Sequence, residues 1–196
     1  EEGGRPEIVL HGEGADTVVE VRPAPENAPA QNVVGELMLL ANTAAAAWAA
    51  ERGVPLIHRT QDVAVPQEYY GIWTKPQDIA RVVKVLPQAV LSVPARPHVG
   101  VGFAAYATIT SPLRRYSDLV NEAQILSFLK TGAPVYDAEQ LSRLVLQLSA
   151  RLDAVSQVQR FRPRYWKLLY LKQQGDKVWH EAVITDETDT AIFLSL

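Results

Sequence analysis

The sequence predicts an α+β fold in which long helices carry most of the chain and short strands lie near its two ends. Three stretches, residues 30–52, 111–130 and 138–173, are bounded by capping residues and helix breakers. Shorter runs at 7–10, 17–21, 178–185 and 190–196 alternate or are continuously apolar, as in strands. The chain has 196 residues, 47% of them hydrophobic and 21% charged, which is enough apolar material for a sizeable core.

The first predicted elements are a hairpin, a linker and a helix. The hairpin pairs residues 7–10 with 17–21 around glycine-rich residues 12–14, and three prolines over 23–29 predict a stiff linker. Asn27 can cap the helix over 30–52, and Gly53 ends it. Five apolar residues share one face of this helix, which predicts that it packs in the core through Val33, Val34, Leu37, Leu40 and Ala41.

The middle of the chain is divided by proline and glycine. A short helix is predicted over 76–86, capped by Thr74 and stopped by Pro87. Residues 90–99 read as extended, and Gly100 and Gly102 indicate a close backbone approach or a bend.

Two long helices and two strands complete the prediction. Ser111 would cap the helix over 111–130, with Pro112 in its first turn and Gly132 closing it. Asp137 would cap the next helix, which Pro163 would kink or restart before it ends at Gly175. The final strands, 178–185 and 190–196, are too few for a domain. They either join the first hairpin or begin a further β-domain.

Composition narrows the classes of function. A net charge of −3 argues weakly against nucleic-acid binding, although a local basic groove can lie on an acidic protein. The absence of cysteine excludes disulfides and thiolate metal sites and fits a reducing cytoplasm. We expect no membrane span and no signal peptide. Because the chain begins with Glu1 and not Met, we expect a fragment or a processed piece.

One segment concentrates groups that bind anions. Thr110 and Ser111 place hydroxyls at a predicted helix start, where free N–H groups and the helix dipole add positive potential. Arg114 and Arg115 add guanidinium groups that can grip phosphate, and Asp118 can hold one arginine in place. The alternative is a capped helix with two solvated arginines and a local salt bridge.

Five motifs follow one another in order across most of the chain. Residues 106–120, Tyr-Ala-Thr-Ile-Thr-Ser-Pro-Leu-Arg-Arg-Tyr-Ser-Asp-Leu-Val, resemble the signature Thr-Ser-Pro-Ile-Arg-Arg-Tyr-x-Asp-Leu, with its preceding Tyr-Ala, of the ribonuclease II, or RNB, family of exoribonucleases. Residues 97–102 resemble the family's His-Phe-Gly-Leu-Gly lead-in, and residues 33–42 resemble its Leu-Val-Glu-Glu-x-Met-x-Leu-Ala-Asn helix. His58-Arg59 resembles the Tyr-Arg after that helix, and residues 159–171 resemble the Glu-Arg…Trp…Tyr-Leu segment.

The resemblance implies a fold and an arrangement of domains. Residues 1–174 would be the C-terminal part of a helix-rich RNB domain with short strands. Residues 175–196 would begin an S1 domain, an OB-type barrel that binds RNA.

The resemblance also implies an activity. Family members are processive, hydrolytic 3′-to-5′ exonucleases on single-stranded RNA that release nucleoside 5′-monophosphates. Arg114 matches the family arginine at the scissile phosphate and would be catalytic. Seven further residues match positions along the RNA: Glu36, Tyr106, Thr110, Ser111, Arg115, Gln159 and Arg160. The protein would act as a monomer in the cytoplasm, with RNA as its partner and no membrane.

The family's metal site has no counterpart here. The resemblance implies Mg²⁺ held by an aspartate cluster upstream of the Glu36 helix, yet Asp16 is the only aspartate before residue 33. The metal ligands are therefore expected outside this chain. Gly35, Glu122-Ala123 and Gln159 also replace the family's Glu, His-Arg and Glu. The chain is either part of a longer nuclease or a catalytically silent RNA-binding relative; a plain helical scaffold is a third hypothesis.

The histidine, aromatic and remaining arginine residues give weaker indications of function than these motifs. The histidines at 11, 58, 98 and 180 have no metal-site spacing, which favours structural or surface roles. Trp48 and Trp166 fit core packing, whereas Tyr69, Tyr70 and Trp73 are better candidates for base stacking. The arginines at 160, 162 and 164 either grip phosphates or form a solvated helix end.

Overall fold

The computed structural model describes residues 7–22, 29–71, 75–175 and 183–195. Four α-helices and three antiparallel strand pairs lie in these ranges, so the predicted α+β class is confirmed. The helices are α1 (Pro29–Arg52), α2 (Pro76–Val85), α3 (Tyr116–Thr131) and α4 (Ala138–Gln174). The strands are β1 (Glu7–His11), β2 (Val18–Arg22), β3 (His58–Thr60), β4 (Val90–Ser92), β5 (Val183–Thr188) and β6 (Ala191–Ser195).

The chain divides into two compact units. Residues 30–70 and 85–152 form one unit, which contains both buried clusters and the anion-binding segment. Residues 1–29, 71–84 and 153–196 form the other. The predicted S1 domain over 175–196 stays a prediction.

The predicted first hairpin is confirmed in the second of these units. β1 and β2 pair from Glu7 opposite Arg22 to His11 opposite Val18. The side chain of Gln173 holds the hairpin, because it accepts from the N–H of Val19 at 2.9 Å and donates to the carbonyl of Thr17 at 2.7 Å. β5 pairs with β6, and within the described ranges neither joins β1 or β2.

The core of the first unit is built on small residues of α1. Its buried positions are Asn42, Ala45, Ala46 and Ala49, which lie on one helical face. The alanines allow other backbones to approach closely, and one cluster joins Ala46 and Ala49 to Val54, Leu56 and Ala107. A second cluster joins β3's neighbour Ile57 to α3 and α4 through Val120, Leu141 and Val145.

The predicted core face of α1 is wrong. Val33, Val34, Leu37 and Leu40 are 54–64% exposed. Helical spacing identifies residues that share a face, but it does not identify the neighbour that covers them. The first half of α1 therefore leaves an apolar row uncovered, and the second half packs in the core.

The same helix corrects the expectation that no segment could span a membrane. Pro29–Arg52 has 24 residues, and its most apolar 18-residue window has a mean hydropathy of 1.4 with 22% of it buried. By length and composition alone it could cross a bilayer. The buried helices of soluble proteins pass the same test, and the alanine face of α1 packs against protein.

Most predicted caps are confirmed. Gly53, Gly132 and Gly175 follow α1, α3 and α4 with φ between +66° and +76°, a conformation that glycine adopts without strain. Asp137 and Gln140 form a reciprocal capping box at the start of α4, with distances of 2.8 and 2.9 Å. The predicted caps Asn27 and Thr74 lie outside the described residues.

Two predicted helix features are corrected. α3 begins at Tyr116 and not at Ser111, because residues 111–115 form a turn of their own. α4 runs without a break through Pro163, so the alternative that the helix restarts there is wrong, and the alternative of a kink stays a prediction. A proline removes one backbone hydrogen bond, and the turns on either side maintain the helix here.

The predicted close approach at Gly100 is confirmed. Its N–H donates to the side-chain oxygen of Gln61 at 2.8 Å, and a Cβ at this position would lie 2.5 Å from that oxygen. Gly102 makes the predicted bend with φ +75°. This bend returns the chain toward His98, whose N–H donates to the carbonyl of Phe103.

Candidate nucleic-acid interface

A closed turn at residues 111–115 joins the segment from Tyr106 to α3. The N–H groups of Arg114 and Arg115 both donate to the carbonyl of Ser111, at 3.2 and 2.9 Å. The N–H of Ser111 is also occupied, because it donates to Asp118 at 2.9 Å. The N–H groups of Ser111, Arg114 and Arg115 are therefore not available to a ligand, whereas those of Leu113, Tyr116 and Ser117 have no hydrogen bond with the residues that the structure describes.

Asp118 is the hub of the turn. Its carboxylate is fully buried, with 0% of its surface exposed. One oxygen accepts from the hydroxyl of Thr108 at 2.7 Å and from that of Ser117 at 3.3 Å. The other accepts from the N–H of Ser111 and from Nε and Nη2 of Arg115 at 3.0 and 2.8 Å. One carboxylate thus holds both ends of the turn.

The two neighbouring arginines have different environments. Arg115 forms the ion pair with Asp118, and its side chain is 26% exposed. This confirms that Asp118 holds one arginine in place. Arg114 is exposed, and its guanidinium makes no ion pair or hydrogen bond with the residues that the structure describes. Arg114 is therefore the arginine whose five donors are available to an external anion.

Asn42 connects α1 to the same segment. This buried side chain accepts from the N–H of Ile109 at 2.8 Å. It donates to the hydroxyl of Tyr106 at 2.9 Å and to that of Thr110 at 3.4 Å. Thr110 also accepts from Nη2 of Arg115 at 3.2 Å. Tyr106, Thr110 and Arg115 thus belong to one hydrogen-bond network.

Aromatic packing fixes the ring of Tyr106. The Phe103 ring stacks on it at 6.3 Å between centroids, and the His98 ring meets it edge-on at 5.7 Å. Burial, helped by the charge of Arg59, lowers the pKa of His98, so this imidazole is neutral at pH 7. Arg59 also donates its N–H to the carbonyl of Tyr106 at 2.8 Å, which ties the segment to β3.

The structure brings together five of the eight predicted site residues. Tyr106, Thr110, Ser111, Arg114 and Arg115 lie in one segment of the first unit. Glu36 is exposed on α1, six residues before Asn42. Gln159 and Arg160 are exposed on the part of α4 that belongs to the second unit, where Nε of Arg160 donates to the carbonyl of Ser156.

Sequence reasoning missed Asn42 and Asn121 as organising residues. Asn121 is fully buried; it accepts from the N–H of Ile57 and donates to the carbonyls of Ile57 and Thr108 at 2.7–3.0 Å. The available signal was an amide side chain at a core position of a helix, because such a group must find partners. Both asparagines bind the backbone of the strand or loop that precedes the turn.

The structure tests some of the roles predicted for the tryptophan and histidine residues. Trp48 packs edge-on against Phe128 at 5.8 Å, which confirms its structural role. His58 is buried and its Nδ1 lies 3.0 Å from the carbonyl of Val93, also a structural role. Trp73, Trp179 and His180 lie outside the described residues.

The described residues offer no place for the implied metal. Among them, no group of three or more His, Asp or Glu side chains could hold an ion. Asp118 is already bound to Arg115, Thr108 and Ser111. The chemistry available at this interface is therefore that of cationic and hydroxyl donors toward an anion.

The fold and the interface define an α+β domain that presents one free arginine from a rigid turn. The family description "RNB domain" matches residues 4–131. The chain therefore belongs to the RNB family.

Curated relatives carry ribonuclease names. An uncharacterized ribonuclease of Synechocystis is 25% identical over 162 residues, covering 81% of this chain and 24% of that protein. The mitochondrial exoribonuclease II of Saccharomyces cerevisiae is 30% identical over 154 residues, covering 72% of this chain and 16% of its own length. This chain thus spans about a quarter or less of these relatives.

Solved structures share the fold. An active-site mutant of the Dss1 exoribonuclease from Candida glabrata matches 94% of this chain and 25% of its own, with 26% identity and a TM-score of 0.78. The apo form of RNase R from Mycoplasma genitalium matches 97% of this chain and 36% of its own, with a TM-score of 0.73. Its 18% identity makes it a likeness of fold alone.

Proposed function

We propose that the protein is a hydrolytic, processive 3′-to-5′ exoribonuclease that degrades single-stranded RNA to nucleoside 5′-monophosphates. In this proposal the chain supplies part of the RNA path and the arginine that stabilises the transition state. The observation that carries the proposal is the free guanidinium of Arg114 on a turn that Asp118 holds rigid. Membership of the RNB family and the exoribonuclease names of its relatives support it.

Arg114 has the chemistry that phosphodiester hydrolysis needs. Negative charge accumulates on the non-bridging phosphate oxygens in the transition state, and a planar guanidinium can donate to two of them. A donor that is already positioned loses little by reorganisation when the reaction occurs. The turn at residues 111–115 fixes the backbone from which the Arg114 side chain extends, because the N–H groups of Ser111, Arg114 and Arg115 are bonded within the protein.

The remaining predicted residues are assigned to RNA binding. Tyr106, Thr110, Ser111 and Arg115 would line the path next to Arg114. Glu36 would contact a ribose hydroxyl near the 3′ end, a contact that favours RNA over DNA. Gln159 and Arg160 would contact RNA from α4.

Metal, compartment and assembly complete the proposal. Mg²⁺ would be bound by aspartates outside this chain, and the role of Arg114 as a donor to the phosphate does not depend on contact with the metal. The absence of cysteine is consistent with a cytoplasmic protein. We assign the protein as a monomer, outside the membrane, with single-stranded RNA as its partner.

The test is the substitution Arg114→Ala in the full-length protein. We expect turnover of a single-stranded RNA oligonucleotide to fall about 100-fold, the usual effect of removing one transition-state donor. The Kd for the same RNA, measured by fluorescence anisotropy in EDTA, should change much less. Arg143→Ala is the control, because Arg143 forms only an exposed pair with Glu139. Unchanged turnover in Arg114→Ala would contradict the proposal.

The second candidate is a catalytically silent RNA-binding relative. It is favoured by Gly35, Glu122-Ala123 and Gln159, where the family has Glu, His-Arg and Glu. Hydrolysis of single-stranded RNA by the purified full-length protein would eliminate this candidate. Salt-dependent RNA binding without hydrolysis would support it and would exclude a plain helical scaffold.

A further inference from the structure

The orientation of the Asn42 amide is determined by its partners. The N–H of Ile109 can only donate, so the atom 2.8 Å away must be the amide oxygen. The amide nitrogen therefore faces the two hydroxyls, with Tyr106 at 2.9 Å and Thr110 at 3.4 Å. Because Asn42 is 1% exposed, water does not compete for these positions.

This orientation determines the role of both hydroxyls. An amide NH₂ group donates and does not accept, so the oxygens of Tyr106 and Thr110 must be the acceptors. Thr110 receives a second donor, Nη2 of Arg115, at 3.2 Å. Each hydroxyl keeps its own hydrogen, and in the described part of the chain neither hydrogen has a protein acceptor. Both residues are half-buried, so a ligand can still reach them.

We propose that Asn42 is a positioning residue that commits the hydroxyls of Tyr106 and Thr110 to donate to a phosphodiester oxygen of the bound nucleic acid. The identity of the ligand rests on the function proposed above. Non-bridging phosphate oxygens are acceptors only, and they carry the charge that attracts the nearby guanidinium of Arg114. Two hydroxyl donors beside a cation suit this acceptor-only group, and contacts to phosphate position the chain without reading its sequence.

The neighbouring charges support a phosphate. The positive charge of Arg115 is matched by Asp118, with which it forms an ion pair at 2.8 Å. Arg114 on the same turn has no such partner among the described residues. The segment therefore offers two hydroxyl donors and one unmatched cation.

The first experiment reverses the polarity of the network with Asn42→Asp in the full-length protein. The carboxylate still accepts from the N–H of Ile109, but its second oxygen now accepts from Tyr106 and Thr110. Both hydroxyls then turn inward and are lost to the ligand. RNA affinity, measured by anisotropy in EDTA, should fall about tenfold or more, the usual effect of losing hydrogen bonds to a charged group. Circular dichroism and thermal melting establish that the variant is folded.

A double-substitution cycle separates this effect from simple charge repulsion. Tyr106→Phe alone should weaken RNA binding several-fold. In the Asn42→Asp background it should have little further effect, because the hydroxyl no longer faces the ligand. Additive losses would mean that the new charge acts on its own and would overturn the inference.

A second measurement does not depend on the folding of Asn42→Asp. RNA oligonucleotides with one methylphosphonate linkage, which lacks a charged oxygen, are bound to wild type and to Tyr106→Phe. Wild type should lose affinity at one or two linkages, and Tyr106→Phe should lose that sensitivity at one of them. Equal sensitivity of both proteins at every linkage would overturn the inference. If wild type binds RNA but does not cleave it, the proposed exonuclease fails and the donor assignment stands.

Discussion

At the scale of single residues, the buried carboxylate of Asp118 determines the shape of the segment. It receives five hydrogen bonds, from Thr108, Ser111, Ser117 and Arg115. The cost of burying a charge is offset only when its donors are all in place, so the donors and the carboxylate depend on one another. The turn is therefore rigid before any ligand binds.

Asp118→Asn is expected to destabilise the protein by about 3 kcal/mol, because it leaves the Arg115 guanidinium without its partner and turns an NH₂ group toward donors. Urea unfolding of this chain measures the change. Glu139→Gln, which removes only an exposed pair with Arg143, is the control and should change stability by less than about 1 kcal/mol. Equal effects of the two substitutions would show that Asp118 is not a hub.

Two histidines predict a dependence of stability on pH. Burial lowers the pKa of both His58 and His98 below 6.5. The unfolded chain therefore binds more protons than the folded chain as pH falls through about 6.5, and stability decreases with falling pH. We expect a lower urea midpoint at pH 5.5 than at pH 7.5, and a smaller difference in His58→Gln and His98→Gln.

The carboxylate of Glu20 does not disturb this test. Hydrogen bonds from Arg22 and His11 lower its pKa to about 2, so Glu20 remains charged over the whole window. A urea midpoint that is constant from pH 7.5 to 5.5, or a difference that both glutamine variants retain, would contradict the assignment to the histidines.

At the scale of elements, the caps were predictable and the buried faces were not. Gly132 and Asp137 act through chemistry within a few residues of themselves, and the sequence contains all of it. Ser111 has the composition of a cap, but its carbonyl closes a separate turn with the N–H groups of Arg114 and Arg115, and α3 begins only at Tyr116. Leu37 has the spacing of a core residue, but its exposure depends on packing that no local pattern contains.

Two glycine substitutions should change the free energy of unfolding in opposite directions. Gly132 has φ +76°, so Gly132→Ala forces a side chain into a left-handed conformation and should lower the free energy of unfolding by about 1 kcal/mol. Gly35 lies inside α1 with no atom within 4 Å of an added Cβ, so Gly35→Ala should raise it by a similar amount. Urea unfolding compares the two variants, and a shared sign would contradict the assigned conformations.

At the scale of the whole molecule, the chain is acidic, yet it presents the exposed cationic side chain of Arg114. The net charge of −3 gives this chain no general attraction for RNA, so in the proposed function its contribution to binding comes from particular residues such as Arg114. The motifs identified the family and the segment 106–120, because those residues are adjacent in sequence. They did not identify Asn42 as a partner of that segment, because the two meet only through folding.

Salt should reveal how many phosphates the protein contacts. RNA affinity of the full-length protein should fall linearly on a plot of log Kd against log salt, with about 0.7 of slope for each phosphate contacted. Arg114→Ala should reduce the slope by about that amount, and Arg143→Ala should leave it unchanged. Anisotropy titrations from low to high salt make the comparison. An unaltered slope in Arg114→Ala would show that Arg114 does not contact a phosphate.

The proline inside α4 has a further consequence. Pro163 has no amide hydrogen to donate to the carbonyl of Gln159, so this 37-residue helix lacks one of its backbone hydrogen bonds. The first turns are anchored by the buried side chains of Leu141 and Val145, whereas the residues around Pro163 are exposed. Segments with few buried contacts open locally at low free energy, so we expect the hydrogen bonds beside Pro163 to open before those of the first turns. Deuterium should therefore enter this helix from its middle as well as from its ends.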